Sequence, residues 1–215
     1  MVKRYIIVLV CCTAAIAPFP TGLLLIDAPV AQTRFTVTGY DRQRAFGPGW
    51  AKGPGGCDSR QIAMAEAWAQ PCAVPYSQWG AAGGVGGDGG GDGGVAPITD
   101  PYTNEDLLPN DVELDHLYPL SAAWDMGAHA WPQEKRLAFA NDPLNLVVTS
   151  SRANQAKSDK LPSEWMPPAR RNRCAYSQRL AQVAAKYELA LPRADRTVMR
   201  RSCAGLRGLT SASVW

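Results

Sequence analysis

At 215 residues the chain has room for one sizeable domain and an export segment, which excludes a large multidomain assembly. Hydrophobic residues at 46% and charged residues at 19% describe a globular protein and exclude an unfolded, charge-rich chain. The formal net charge of +3 hides a segregation: residues 88–134 carry ten carboxylates and no Lys or Arg, whereas residues 135–215 carry fifteen basic residues against five acids. A basic half attracts a polyanion and an acidic half supplies cation ligands; the plainer reading is two solvated faces that neutralise each other.

The N-terminus reads as an export signal. Lys3 and Arg4 precede the apolar run YIIVLVCCTAAIA, and no acid occurs before Asp27. A signal peptide is expected over residues 1–31, with cleavage near Ala31 and a secreted product. The alternative is an uncleaved cell-surface anchor over about residues 5–26, which Pro18 and Pro20 weaken. Removing Cys11 and Cys12 with the signal leaves Cys57, Cys72, Cys174 and Cys203, an even number with three connectivities. Without a CxxC pair, and with two histidines in the chain, disulfides fit an oxidising compartment better than zinc does.

Residues 32–79 form an N-terminal subregion. RFTVTGY (34–40) is strand-like, and Asp58 with Gln61 three residues on makes a capping box for a helix through about residue 69. Cys57 and Cys72 bracket that helix; joining them closes a loop of about 15 residues, worth ~3 kcal/mol in the chain-entropy model. Residues 80–95 are Gly-rich, cannot build a core and are expected to form a flexible surface loop.

The main unit is expected over 96–215. Residues 114–120 read as a short strand placed at an edge or end by Pro119. Trp131-Pro132 starts a helix to about residue 140, with Pro132 in its first turn. Asn141-Asp142 caps the turn into a second strand at 144–149, and Ser150 or Ser151 caps a short helix carrying Asn154 and Lys157 on one face. The order is strand, excursion, strand, helix. Leu180, Val183, Ala184 and Tyr187 then lie on one face of a helix at about 175–189. Pro192 breaks it, and Asp195 is expected to cap a second helix through about Cys203. In an antiparallel helix hairpin the ends bearing Cys174 and Cys203 meet, which favours the pairing Cys57–Cys72 and Cys174–Cys203.

The stretch DHLYPL…NDPLNLVVTSSRANQAKSDKLPSEW resembles the HNH, or ββα-metal, endonucleases. Within them it is similar to the branch of GmrSD C-terminal domains and small secreted bacterial HNH proteins. The DH…N…NxxKSD pattern also resembles the HNH domain of RNA-guided CRISPR nucleases. In the secreted branch the likeness extends from GYDRQRAFG (39–47) and CDSR (57–60) to the last cysteine.

The resemblance implies an α+β fold with a ββα-metal core, added helices and disulfides. It implies a secreted endonuclease of low sequence specificity, hydrolysing phosphodiesters with one divalent metal, Mg²⁺ in the first place and Mn²⁺ as an option. Asp115 and Asn154 would be the metal ligands and His116 the general base, since imidazole titrates near neutral pH. On a regular strand His116 should point away from Asp115, so a local distortion is expected there. Asn145 would tie the loop to the strands and hold the His116 region. Lys157 would support the site, with Arg152 or Lys160 as further helpers, although each alone reads as a solvated helix residue. Arg60 would lie near the substrate phosphate; here Ser59 stands where the branch has threonine. The expected partner is nucleic acid, DNA first, acted on by a monomer with no membrane insertion after signal removal. The alternative is a secreted nucleic-acid-binding or cell-envelope protein without catalysis.

Overall fold

The computed structural model describes Lys3, Ile6 and residues 26–53, 55–79 and 95–204. Apart from Ile6, the apolar run of the export signal lies outside the described residues, as does the Gly-rich stretch 80–94. Ile26 is buried in the main core, and Val30–Ala31 (β1) pairs in parallel with Leu191–Pro192 (β6). Arg196 fastens this segment by donating to the carbonyls of Ile26 and Ala28. The cut expected near Ala31 would therefore remove residues that the fold packs.

RFTVTGY forms no strand. Its polar groups turn instead to two carboxylates: Arg34 pairs with Asp125 at 2.7 Å and Asp159 at 2.9 Å, and the Val37 amide donates to Asp125. With the Val37 amide so engaged, alternation of side chains alone does not make a ladder. A short helix follows at Arg42–Phe46 (α1), begun by the Asp41 side chain accepting from the Arg44 amide. Its last two residues, Ala45 and Phe46, are buried against the core. The next helix, Ser59–Ala67 (α2), has both bonds of the capping box between Asp58 and Gln61. Cys57 and Cys72 are disulfide-bonded around it.

Ile98–Thr99 (β2) and Asp106–Leu107 (β3) form a small antiparallel ribbon leading into Val112–His116 (β4). Strand β4 starts earlier than its apolar residues suggested and ends before Pro119, which has no amide hydrogen to offer a ladder. The excursion holds Leu120–Asp125 (α3) and Gln133–Ala140 (α4). Pro132 stands at the N-cap of α4, one position before the first turn. A 3₁₀ turn at Pro143–Asn145, capped by Asp142, leads into Leu146–Ser150 (β5), which pairs antiparallel with β4. Ser150 caps Ser151–Lys157 (α5), which lies against both strands.

Arg173–Tyr187 (α6) and Arg193–Ser202 (α7) form the C-terminal hairpin, closed by a Cys174–Cys203 disulfide. Asp195 does not cap α7. It lies in the first turn, is buried, and accepts from the Ser163 amide at 2.6 Å, while Pro192 takes the N-cap position. The fold is thus α+β, with short two-stranded sheets and a main core shared by α1, α3–α7 and β5. A smaller cluster of Met64, Trp68, Trp79, Leu107 and Val112 joins α2 to the entry of β4. Among the described residues no helix is long and apolar enough to cross a membrane.

Candidate functional site

The site is built where β4 ends. Its period of two puts Glu113 and Asp115 on one side and Leu114 and His116 on the other. Asp115 faces α5, where Lys157 Nζ stands 2.9 Å from its carboxylate and also donates to the His116 carbonyl at 2.8 Å. The Tyr102 hydroxyl donates to the same carboxylate at 2.5 Å. Lys157 is fully buried and not the solvated helix residue its charge suggested. Burial pushes the Asp115 carboxyl up from the usual carboxylate range, opposed by Lys157, Tyr102 and the His116 amide. Tyr102 is held well above its ordinary range, first by burial and then by the Asp115 charge.

One rung earlier, Glu113 and Asn154 meet: Asn154 Nδ2 donates to Glu113 Oε2 at 2.6 Å. That bond fixes the amide orientation, and Asn154 Oδ1 accepts nothing from the described residues. Residue i−2 from Asp115 shares its strand face, so Glu113 was within reach of sequence reasoning and was missed. Asp100 was missed as well. Buried, it accepts from Thr149 Oγ1, the Ser150 amide and the Tyr102 amide, which fixes both the start of α5 and the residue that donates to Asp115.

On the other side of β4, His116 Nε2 lies 2.8 Å from the Ala140 carbonyl at the end of α4. A carbonyl only accepts, so Nε2 carries the proton and Nδ1 keeps its lone pair. Trp50 stacks on the imidazole with centroids 5.3 Å apart and planes 17° from parallel. Burial lowers the His116 pKa to about 3; the Ala140 bond opposes this, and the charges of Arg42 and Lys157 add to it. Asn145, fully buried, accepts from the Tyr118 amide at 2.7 Å and returns a bond to the Tyr118 carbonyl, holding the chain just past His116.

Asp115, His116 and Asn154 line one cleft of about 260 Å³ together with Tyr40, Arg42 and Ser121. Asp115 and His116 thus leave the strand on opposite sides yet reach a common opening, because β4 ends there and the chain turns away at Pro119. A larger cavity of about 780 Å³ lies elsewhere, between α2 and β5, and holds none of these three residues. Arg60 donates to the Val112 carbonyl, at the start of β4. Arg152 is exposed and paired with Glu105, and Lys160, just past α5, donates to the Ala156 carbonyl in the helix's last turn. His129 is exposed in the excursion.

The donor types fit a divalent cation: a carboxylate, Asp115, and an amide whose Oδ1 accepts nothing from the described residues, Asn154, both lining the same cleft. Among the described residues no three His, Cys, Asp or Glu side chains gather as a denser ligand cluster.

The fold is α+β, and the cleft lies at a strand–strand–helix unit formed by β4, β5 and α5. Residues 96–201 match the C-terminal domain of the GmrSD restriction endonucleases, a span that contains Asp115, His116 and Asn154. The chain is also similar to an uncharacterized secreted protein of Arthroderma benhamiae, 38% identical over 92 residues, which is 42% of this chain and 45% of that relative. The similar stretch thus spans less than half of the relative's length. No solved structure matches the chain.

Proposed function

We propose that the protein is a secreted, metal-dependent HNH-type endonuclease that hydrolyses phosphodiester bonds in nucleic acid, DNA first, with low sequence specificity. The observation that carries this reading is the His116 tautomer. With Nε2–H committed to Ala140, Nδ1 is free to take a proton from water, and burial keeps the ring neutral throughout the physiological range. Asp115 and Asn154 would hold the cation, Mg²⁺ or Mn²⁺, which when bound acidifies water and neutralises charge on the phosphate. That help matters here, because a base with so low a pKa is a weak one. Glu113 keeps the Asn154 oxygen turned to the cleft, and Asn145 and Trp50 hold the imidazole and its backbone in place. The expected products carry a 5′-phosphate and a 3′-hydroxyl.

Plasmid cleavage in Mg²⁺ or Mn²⁺ tests the reading. Wild-type protein should nick and linearise the substrate, and His116→Ala or Asn154→Ala should lower the rate at least 100-fold. Cleavage that survives both substitutions unchanged would remove the site assignment. The Lys157–Asp115 pair is the observation favouring the rival, binding without hydrolysis, since it already occupies the carboxylate. Salt-sensitive binding with no cleavage in any metal would establish that rival.

A further inference from the structure

A phosphodiester is an anion, and a cleft that cleaves one needs a cation to hold it. The cations that the sequence offered for this task are engaged elsewhere. Lys157 is buried on Asp115, while Arg60 is bonded to the Val112 carbonyl, Arg152 is paired with Glu105 and Lys160 donates to the Ala156 carbonyl. Arg34, close by, is spent on Asp125 and Asp159.

Arg42 remains. It is exposed, makes no hydrogen bond or ion pair among the described residues, and lines both the cleft shared by Asp115 and Asn154 and a second cavity of about 270 Å³ on the Trp50 side of His116. Its backbone is well held: Phe46 packs on Phe139, and Arg136 of α4 donates to the Ala45 carbonyl at 2.9 Å. The same helix α4 ends on the carbonyl that orients His116. The guanidinium therefore hangs free from a fixed root beside the imidazole. The two acids that line the cleft are each already paired, Asp115 with Lys157 and Asp159 with Arg34, so Arg42 supplies its uncompensated charge.

We propose that Arg42 is the substrate-phosphate contact of this site, its planar fork taking the non-bridging oxygens of the phosphodiester that His116 and the Asp115–Asn154 pair address. This rests on the nuclease reading above and assigns a residue to it. The neighbouring Arg44 is a natural control: it is exposed on the same short helix, but its partner is Asp41 at 3.9 Å and it does not line the cleft.

The test compares Arg42→Ala, Arg42→Lys and Arg44→Ala in two assays. The first is plasmid cleavage in Mg²⁺ or Mn²⁺. The second is binding of a fluorescent oligonucleotide duplex, with each substitution placed on the His116→Ala background, followed across a salt series. Arg42→Ala should lose about 10- to 100-fold in cleavage efficiency and weaken binding, the size of one charge-assisted hydrogen-bonded contact. Its slope of log affinity against log salt should fall by about one. Arg42→Lys should restore the slope but only part of the rate, and Arg44→Ala should match its parent in both assays. Far-ultraviolet circular dichroism and melting temperature should be unchanged, as expected for an exposed side chain. Cleavage and salt slope unaltered by Arg42→Ala, or altered equally by Arg44→Ala, overturn the Arg42 assignment alone. Wild-type protein that neither binds nor cleaves overturns the nuclease reading and this assignment with it.

Discussion

Lys157 shows how far a single side chain can depart from the expectation its charge raises. It is sealed under the site, between Asp115 and the His116 carbonyl, and the strand end is shaped around it. Removing one partner of such a pair leaves the other charge buried without compensation, which typically costs about 3–5 kcal/mol. Lys157→Met should therefore destabilise the protein by about that amount in urea unfolding. Asp142 provides a pH test at the same scale. Burial would raise its carboxyl, but Lys186 at 2.6 Å, the Tyr187 hydroxyl at 2.8 Å and the Leu144 amide outweigh this and hold it below the usual range. A carboxyl depressed in the folded state contributes stability above its unfolded pKa of about 3.9 and loses it as pH falls through the folded value. Asp142→Asn should therefore flatten the acid limb of the stability curve below about pH 4, in melts recorded across pH, while lowering stability at neutrality.

At the level of elements, α1 and the β4–α5 pair make the cleft, and they were unequally legible in the sequence. The capping box at Asp58, the Ser150 cap, the helix faces in the C-terminal hairpin and both strands could be read because each depends on neighbours within a few residues. RFTVTGY misled because alternation says nothing about whether a partner strand exists, and here the Val37 amide goes to Asp125 instead. Asp195 looked like a cap because caps are local, whereas its real partner, the Ser163 amide, is set by tertiary packing. Arg42 and Trp50 could not have been assigned from the sequence, since only the fold brings residues of the N-terminal subregion beside His116. What fixes α1 there includes Gly47, its C-cap, at φ 94°, where an added Cβ would meet Leu137 Cδ2 at 2.8 Å. Leu137 is partly exposed and can yield; the backbone conformation cannot. Gly47→Ala should cost about 1–2 kcal/mol, read as a lower melting temperature, and should also weaken substrate binding by displacing the root of Arg42.

Across the whole molecule, the site depends on segments that are far apart in the chain, and the two covalent ties close local loops in elements that pack around those segments. Cys57–Cys72 spans 15 residues around α2, and Cys174–Cys203 spans 29 across the α6–α7 hairpin. In the chain-entropy model each closure removes freedom from the unfolded ensemble, by ~3 kcal/mol for the shorter loop and a little more for the longer. Their consequences for function should nevertheless differ. The α6–α7 hairpin carries Tyr176 and Leu180 of the main core and holds β1 through β6, so loosening it loosens the packing under Tyr102 and Asp115. The α2 loop borders the smaller cluster, which meets β4 at its first residue, Val112, and β5 at Val148, away from the strand end that bears Asp115 and His116. Replacing Cys174 and Cys203 by Ser should thus lower both melting temperature and cleavage rate at 37 °C. Replacing Cys57 and Cys72 should lower stability by ~3 kcal/mol while leaving the rate at 25 °C close to wild type. Equal losses of rate in the two variants at 25 °C would show that the two clusters unfold and act as one unit.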